Sequence, residues 1–226
     1  MYHSKISQNF SGRDFVVTDI NGCFNELMRL TSSVGFSESD RLFMLGNSIN
    51  KGLQAKEVIE FTKNKNVYPL LGNDEFYMLM SLTPGMPNDE RDVFLSQWDA
   101  NGGGWRKTAS PELLSSLYKE VLKWPLTYTI EGMRRVGLVH SEVPFDSWKD
   151  FVGSTVDFGV IQRATTGQTV LQGPRDGMIS DIDFVLSGHF QIPKPPRLIG
   201  NSFFLNSGII VGRPGIIYDV SDFQVS

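Results

Sequence analysis

The sequence predicts an α/β (α+β) fold of two facing β-sheets with helices on their outer faces. Two observations carry this. Over residues 14–82, strand-like, loop and helical patterns alternate three times, which implies a parallel sheet flanked by helices. From residue 126 onward the chain turns into strand-like runs broken by Gly, Pro and Asn, which supply a second sheet. Length is consistent with this: 226 residues suffice for one domain with a proper core, and residues 1–226 are read as a single domain. With 40% hydrophobic and 20% charged residues, the composition excludes a disordered chain.

Residues 14–18 read as a short buried strand, and the apolar run of "FVVTDING" stops on Asp19, Asn21 and Gly22. "NELMRLTSSVGF" then places Leu27, Met28, Leu30, Thr31 and Val34 near helical spacing. "DRLFMLG" reads as the second strand. "LQAKEVIEFTKNK" reads as a helix whose terminal lysines suit a helix C-terminus. "NVYPLLG" is the third strand, and "DEFYMLMSL" opens another helix. Residues 84–125 read as a helical insert. Within it, Ser110 and Pro111 mark the N-cap and first turn of "SPELLSSLYKEVLKW". "NGGGW" at 101–105 is a glycine-rich turn without the lysine–serine pair of a nucleotide cradle. Further on, "IEGMRRVGLVH" predicts a hairpin, and "GRPG" a tight turn between the last two strands.

In parallel sheets, ligands gather at the carboxyl ends of the strands. Asp19, Asn47 and Asn73 stand at three such ends, and His140 and His189 follow the apolar runs "VGLV" and "FVLSG". Imidazole, carboxylate and amide oxygen together suit a divalent cation. The net charge of −4 carries no basic signature, so neither a nucleic-acid nor a membrane partner is expected. The lone Cys23 excludes an intrachain disulfide and a zinc ribbon, and is read as a packed residue at a helix start rather than a nucleophile. No secretory leader or stretch of ~20 apolar residues is visible, so a cytoplasmic protein is expected.

The ordered segments "TDINGC", "GNSINKG", "GNDE", "VHSEVPF" and "SGHFQIPKPPRLIGNSFFLNSG" resemble the motifs of the calcineurin-like metallophosphoesterases. The resemblance is to the bacterial and phage-lambda-type serine/threonine protein phosphatases, and runs from about residue 12 to 218. "QWDANGGGW" and "GVIQRA" match supporting segments. The resemblance implies a four-layer sandwich and a dinuclear centre that activates a bridging hydroxide. It implies Asp19, Asn21, Asn47, Asn73, His140 and His189 at the metal-ligand positions. Asp74 falls at the general-acid position, and Lys51, Asn73 and Arg163 at phosphate-binding positions. The family's cofactor implied here is manganese or a similar divalent ion.

This sequence departs from the pattern at the reactive positions. Asn21 replaces a histidine ligand and Asn47 the bridging aspartate. Asn50 and Lys51 replace an Asp-Arg pair, Asp74 replaces the histidine acid, and Asn206 replaces an aspartate. An amide carries no full charge, so the first metal position is expected to be empty or very weak, leaving at most one weakly held ion. Near a cation the Asp74 pKa is expected to fall, which would make it a poor acid. The expectation is therefore a catalytically impaired pseudophosphatase that binds a phosphorylated protein or peptide, or another protein partner. The alternative is an active phosphoesterase, on phosphoprotein, nucleotide or diester, with an altered or single-metal centre. A third reading places the working surface on the 84–125 insert.

Overall fold

The computed structural model describes residues 3–169 and 178–224. The strands are β1 (His3–Ser7), β2 (Asp14–Val17), β3 (Arg41–Met44), β4 (Val67–Pro69), β5 (Thr127–Glu131), β6 (Val136–Val139), β7 (Phe184–Ser187), β8 (Arg197–Ile199), β9 (Ser202–Phe204) and β10 (Tyr218–Asp219). The helices are α1 (Phe24–Ser33), α2 (Ala55–Phe61), α3 (Asn73–Leu82), α4 (Asn88–Ala100), α5 (Pro111–Val121), α6 (Trp148–Gly153) and α7 (Phe158–Thr166).

The strand–helix alternation of the first half forms a parallel β2-β3-β4 unit, with Val16 opposite Phe43 and Leu42 opposite Val67. β10 joins its edge antiparallel, giving the order β10-β2-β3-β4. The second sheet has the order β1-β5-β6-β7-β9-β8, and β5 and β6 form the predicted hairpin. Because side chains alternate along a strand, Val16 and Phe43 point into the gap between the sheets while Phe15, Val17, Leu42 and Met44 point outward. The inner set meets Tyr128, Ile130, Leu138, Leu186 and Phe203 of the second sheet. The outer set packs on Leu27 and Leu30 of α1 and Val58 of α2. On the far side, Trp148, Phe151, Ile161 and Ala164 of α6 and α7 cover Val139 and Val185. The result is the four-layer helix–sheet–sheet–helix sandwich.

The insert forms α4, a 3-10 turn over Gly103–Lys107, and α5. Ser110 caps α5 as predicted, its hydroxyl accepting from Leu113 N at 3.2 Å. Trp98, Leu117 and Val121 pack on Met78 and Leu79 of α3, which fastens the insert beside the carboxyl ends of β3 and β4. No helix among the described residues is long and apolar enough to cross a membrane.

Three features differ from the sequence expectation. β1 lies in a polar stretch that gave no strand signal; it is an edge strand stabilised by parallel pairing with β5, not by burial. α6 and α7 interrupt the strand-like second half, with Ser147 and Asp157 as N-caps. "GRPG" does not join two paired strands, because β9 and β10 belong to different sheets. The apolar "GIIVGRPGII" segment crosses between them, with Ile209 and Ile217 packed against the α1 layer.

Phe43 is fully buried between the sheets and touches the Tyr68 and Tyr128 rings. Phe43→Ala should lower the unfolding free energy by about 3–5 kcal/mol in chemical denaturation.

Candidate functional site

Each strand that points at the site ends in a turn that reverses the backbone within two or three residues. Asp19, Asn21, Asn47, Asn50, Lys51 and His189 all have positive φ, between 50° and 69°. Only one further non-glycine residue among those described, Asp181, does so. Asn, Asp and His tolerate this region better than most side chains, whereas lysine does not, and such conformations concentrate at functional sites. Gly46, with φ of 76°, has no such freedom to be replaced: a Cβ there would lie 2.6 Å from the Gly72 backbone and 2.7 Å from His140 Nδ1.

One carboxylate holds two of these turns together. Glu75, fully buried, accepts from Asn47 N and Gly72 N at 2.9 Å through Oε2, and from Ser48 N at 2.7 Å and Ile49 N at 3.2 Å through Oε1. Burial pushes its pKa up and the four N–H groups pull it back.

The loop so fixed carries Asn47 into the middle of the site. Its Nδ2 donates to Asp19 Oδ1 and to Asn73 Oδ1, both at 3.1 Å, and its Oδ1 accepts from Asp74 N at 3.1 Å. Asp19 also accepts from His189 N at 2.9 Å through Oδ2. Burial raises its pKa, opposed by His189, Thr18 and Lys51. His140 must carry its proton on Nδ1, since that atom lies 2.6 Å from the Leu45 carbonyl oxygen, which can only accept. Its Nε2 lies 3.1 Å from Asn73 Oδ1 and 3.2 Å from His189 Nδ1. Burial lowers both histidines to about 4, so both rings are neutral at pH 7.

These distances separate the two metal positions that the resemblance implies. Atoms bound at about 2.1 Å to a single ion lie about 3.0–3.4 Å apart. His140 Nε2 stands at that spacing from both Asn73 Oδ1 and His189 Nδ1, so these three donors suit one transition-metal ion. The first position does not fit. Asn21 donates its Nδ2 to the Asp19 carbonyl and turns its Oδ1 to Lys51 Nζ at 3.2 Å. Asn47 presents an NH2 group where an oxygen is required. Among the described residues, no three His, Cys, Asp or Glu side chains are grouped to hold a metal.

Asp74 is fully buried, beside Lys51 Nζ at 3.9 Å. Its Oδ1 accepts from Asn73 Nδ2 at 3.0 Å, while Oδ2 has no hydrogen-bond partner within normal distance. Burial pushes this carboxyl well above the usual range, opposed chiefly by Lys51. In the chain itself desolvation outweighs the one neighbouring ammonium; the expectation of a fall concerned a metal ion beside it. Asn50 sits behind it, its Oδ1 accepting from both Trp98 Nε1 and Trp105 Nε1 at 3.0 Å.

The strand ends thus bring Asp19, Asn21, Asn47, Lys51, Asn73, Asp74, His140 and His189 together. A pocket of about 80 Å³ opens on most of them, and Asn101, Gln191, Asn206 and Ile210 complete its wall. Asn101 comes from the insert, at the end of α4; only its place in "QWDANGGGW" hinted at it. Arg163 is not in this wall. It lies on α7, half-exposed, with Nη2 3.2 Å from Glu142 Oε1. Cys23 is half-buried at the start of α1, where burial raises its thiol pKa, which suits packing rather than nucleophilic attack. A larger cavity of about 460 Å³ lies at the opposite end of the strands, over Ile130, Val136 and Phe184. Its rim charges are engaged elsewhere: Arg13 pairs with Asp40 and Asp14 with Arg41, which leaves it without a cluster for chemistry.

No protein-family model matches the chain. A symmetrical bis(5'-nucleosyl)-tetraphosphatase of Actinobacillus pleuropneumoniae serotype 3 (strain JL03) is 28% identical over 139 residues, covering 55% of this chain and 52% of that protein. The enzyme of the same name from Buchnera aphidicola subsp. Baizongia pistaciae (strain Bp) is 35% identical over 85 residues, covering 36% and 30%. The matches therefore span about half the length of these relatives or less. Among solved structures, the cold-active protein-tyrosine phosphatase of a psychrophilic Shewanella superposes with a TM-score of 0.64 at 12% identity, covering 94% of this chain and 76% of that one. A structure provisionally described as a diadenosine tetraphosphatase gives 0.58 at 19% identity, with 96% of both chains covered. A Saccharomyces cerevisiae protein serine/threonine phosphatase gives 0.58 at 12%, covering 100% and 84%.

Glu75→Ala would strand four buried N–H groups. It should cost at least about 3 kcal/mol in chemical denaturation, more than Glu75→Gln, which keeps an acceptor oxygen.

Proposed function

We propose that this chain, a member of the calcineurin-like metallophosphoesterase superfamily, binds a phosphate-bearing ligand at its strand ends and hydrolyses it poorly or not at all. The observation that supports this is the composition of the pocket wall: one carboxylate, Asp19, and one cation, Lys51, among six side-chain amides. A two-ion clamp needs several anionic donors to hold two divalent charges, and one carboxylate does not supply them. Lys51 remains as a charged donor for a phosphoryl oxygen, without the paired geometry of an arginine. The pocket has room for a phosphoryl group, so the rest of the ligand lies outside it. We take a phosphorylated protein or peptide as that ligand, following the resemblance to protein phosphatases. Manganese or a similar ion, if held, belongs at Asn73, His140 and His189. The insert is part of this site rather than a separate working surface, since it supplies Asn101 and braces Asn50. The lone thiol suits a reducing cytoplasm.

A second reading is a nucleotide phosphohydrolase with a single ion. Two observations favour it: the relatives are named symmetrical bis(5'-nucleosyl)-tetraphosphatases, and the Asp74 carboxyl is pushed up by burial, as a proton donor requires. The two readings part in one experiment. Turnover of p-nitrophenyl phosphate and diadenosine tetraphosphate with excess manganese should fall at least about 10³-fold below the ordinary range of ~1–10³ per second. Ordinary turnover on the dinucleotide would select the second reading. On the first, a phosphopeptide binds by calorimetry and its unphosphorylated form does not. Lys51→Ala then weakens that binding by about tenfold or more, the worth of one charge-assisted hydrogen bond.

A further inference from the structure

We propose that the Asn47 carboxamide is a built-in substitute for the first cation, so that hydrogen bonds rather than an ion set the geometry of the pocket. Asp19 Oδ1, at the first position that the resemblance implies, and Asn73 Oδ1, at the second, are each 3.1 Å from one nitrogen, Asn47 Nδ2. The two N–H bonds of that group point at one oxygen each. Asp19 follows β2 and Asn73 opens α3, so this single amide joins two elements directly, beside the longer-range link that Lys51 makes between Asn21 and Asp74.

The orientation of the amide is fixed by its neighbours. Turned over, Oδ1 would face two acceptor oxygens and Nδ2 would face the Asp74 N–H that now donates to Oδ1 at 3.1 Å. Three favourable contacts would become three repulsive ones, each between buried groups. The backbone has no freedom to relieve this, since Asn47 N is held by Glu75 at 2.9 Å and a Cβ on the facing Gly72 would lie 2.4 Å from Asn47 N. Accepting a first ion would therefore require breaking both N–H contacts and reversing a side chain inside a filled site.

Charge follows the same pattern. A pair of divalent ions brings four positive charges. Here the Lys51 ammonium brings one, and it acts on Asp19, Asp74, His140 and His189 alike. The insert holds it in place: a Cβ on Gly102 would lie 2.7 Å from Lys51 Cγ. One ammonium against the one carboxylate in the pocket wall leaves no net negative charge to hold the first ion. Lys51 thus supplies the charge and Asn47 the geometry that the first ion would otherwise give. This inference stands apart from the ligand proposed above, since it concerns how the pocket itself is held.

The test compares ion-stripped wild type, Asn47→Asp and Asn47→Ala by native mass spectrometry and thermal unfolding, with manganese or zinc and with chelator. Wild type should take up no more than one equivalent. Its melting temperature should owe nothing to the first position. Asn47→Asp places a third acceptor oxygen beside Asp19 and Asn73. It should melt about 4–8 °C lower in chelator, recover with manganese, and bind one equivalent more than wild type. If that variant folds only in the presence of metal, the same conclusion follows. Asn47→Ala should melt lower with or without metal and gain no ion. Two equivalents on wild type would overturn the inference, whatever the variants do. So would an Asn47→Asp protein that is as stable as wild type in chelator and binds no further ion.

Discussion

The Glu75 carboxylate is the constraint on which the site depends. It gathers four backbone N–H groups from two segments that lie 23 or more residues apart in the chain, the turn after β3 and the start of α3. Without a buried acceptor those donors would lose water and gain nothing, so the turn would open toward solvent. With it, the turn closes tightly enough that Gly46 and Gly72 meet with no room for a side chain. Everything placed on that turn inherits its position, first Asn47, then Asp19 and Asn73 through the Asn47 amide.

A scaffold of this kind keeps its shape whether or not its reactive groups are suited to chemistry. The backbone contacts of Glu75, the strand pairing and the layered packing do not depend on whether residue 47 is a carboxylate or an amide. The difference between Asp and Asn is one nitrogen for one oxygen, with nearly the same volume. It reverses the electrostatics of the pocket centre, because a group that attracts cations becomes one that donates to acceptors. At the same cluster, burial keeps the His140 and His189 rings neutral. The two halves of the site are therefore unlike: two neutral imidazoles meet at one, and the other is an amide bonded to its neighbours.

Much of the fold is legible in the sequence because its signals are local. The apolar runs at 15–17, 42–44 and 67–71, the helical spacing between them and the Ser110-Pro111 cap each follow from neighbouring residues. What failed to show had a non-local cause. β1 is polar and owes its strand to an edge of β5. The 208–217 segment has the composition of a strand but crosses between sheets, which only the partners available to it decide. The site residues were recognisable as strand-end polar side chains. Arg163 was placed by its local motif, and its guanidinium is engaged by Glu142, a residue 21 positions away. Asn101, Gln191 and Ile210 carried little signal of their own, since they complete the pocket from the insert, the segment after β7 and the segment after β9.

By itself the sequence determined which residue types stand at the strand ends: one carboxylate, Asp19, among the amides Asn21, Asn47 and Asn73. Only the tertiary structure decided what those amides do. An amide can accept through oxygen or donate through nitrogen, and the choice depends on groups brought within about 3 Å by folding. The neighbours of Asn47 are Asp19, Asn73 and Glu75, each at least 26 residues away along the chain. The same reasoning applies to Asp74, whose high pKa follows from its depth in the structure and not from the residues beside it in sequence.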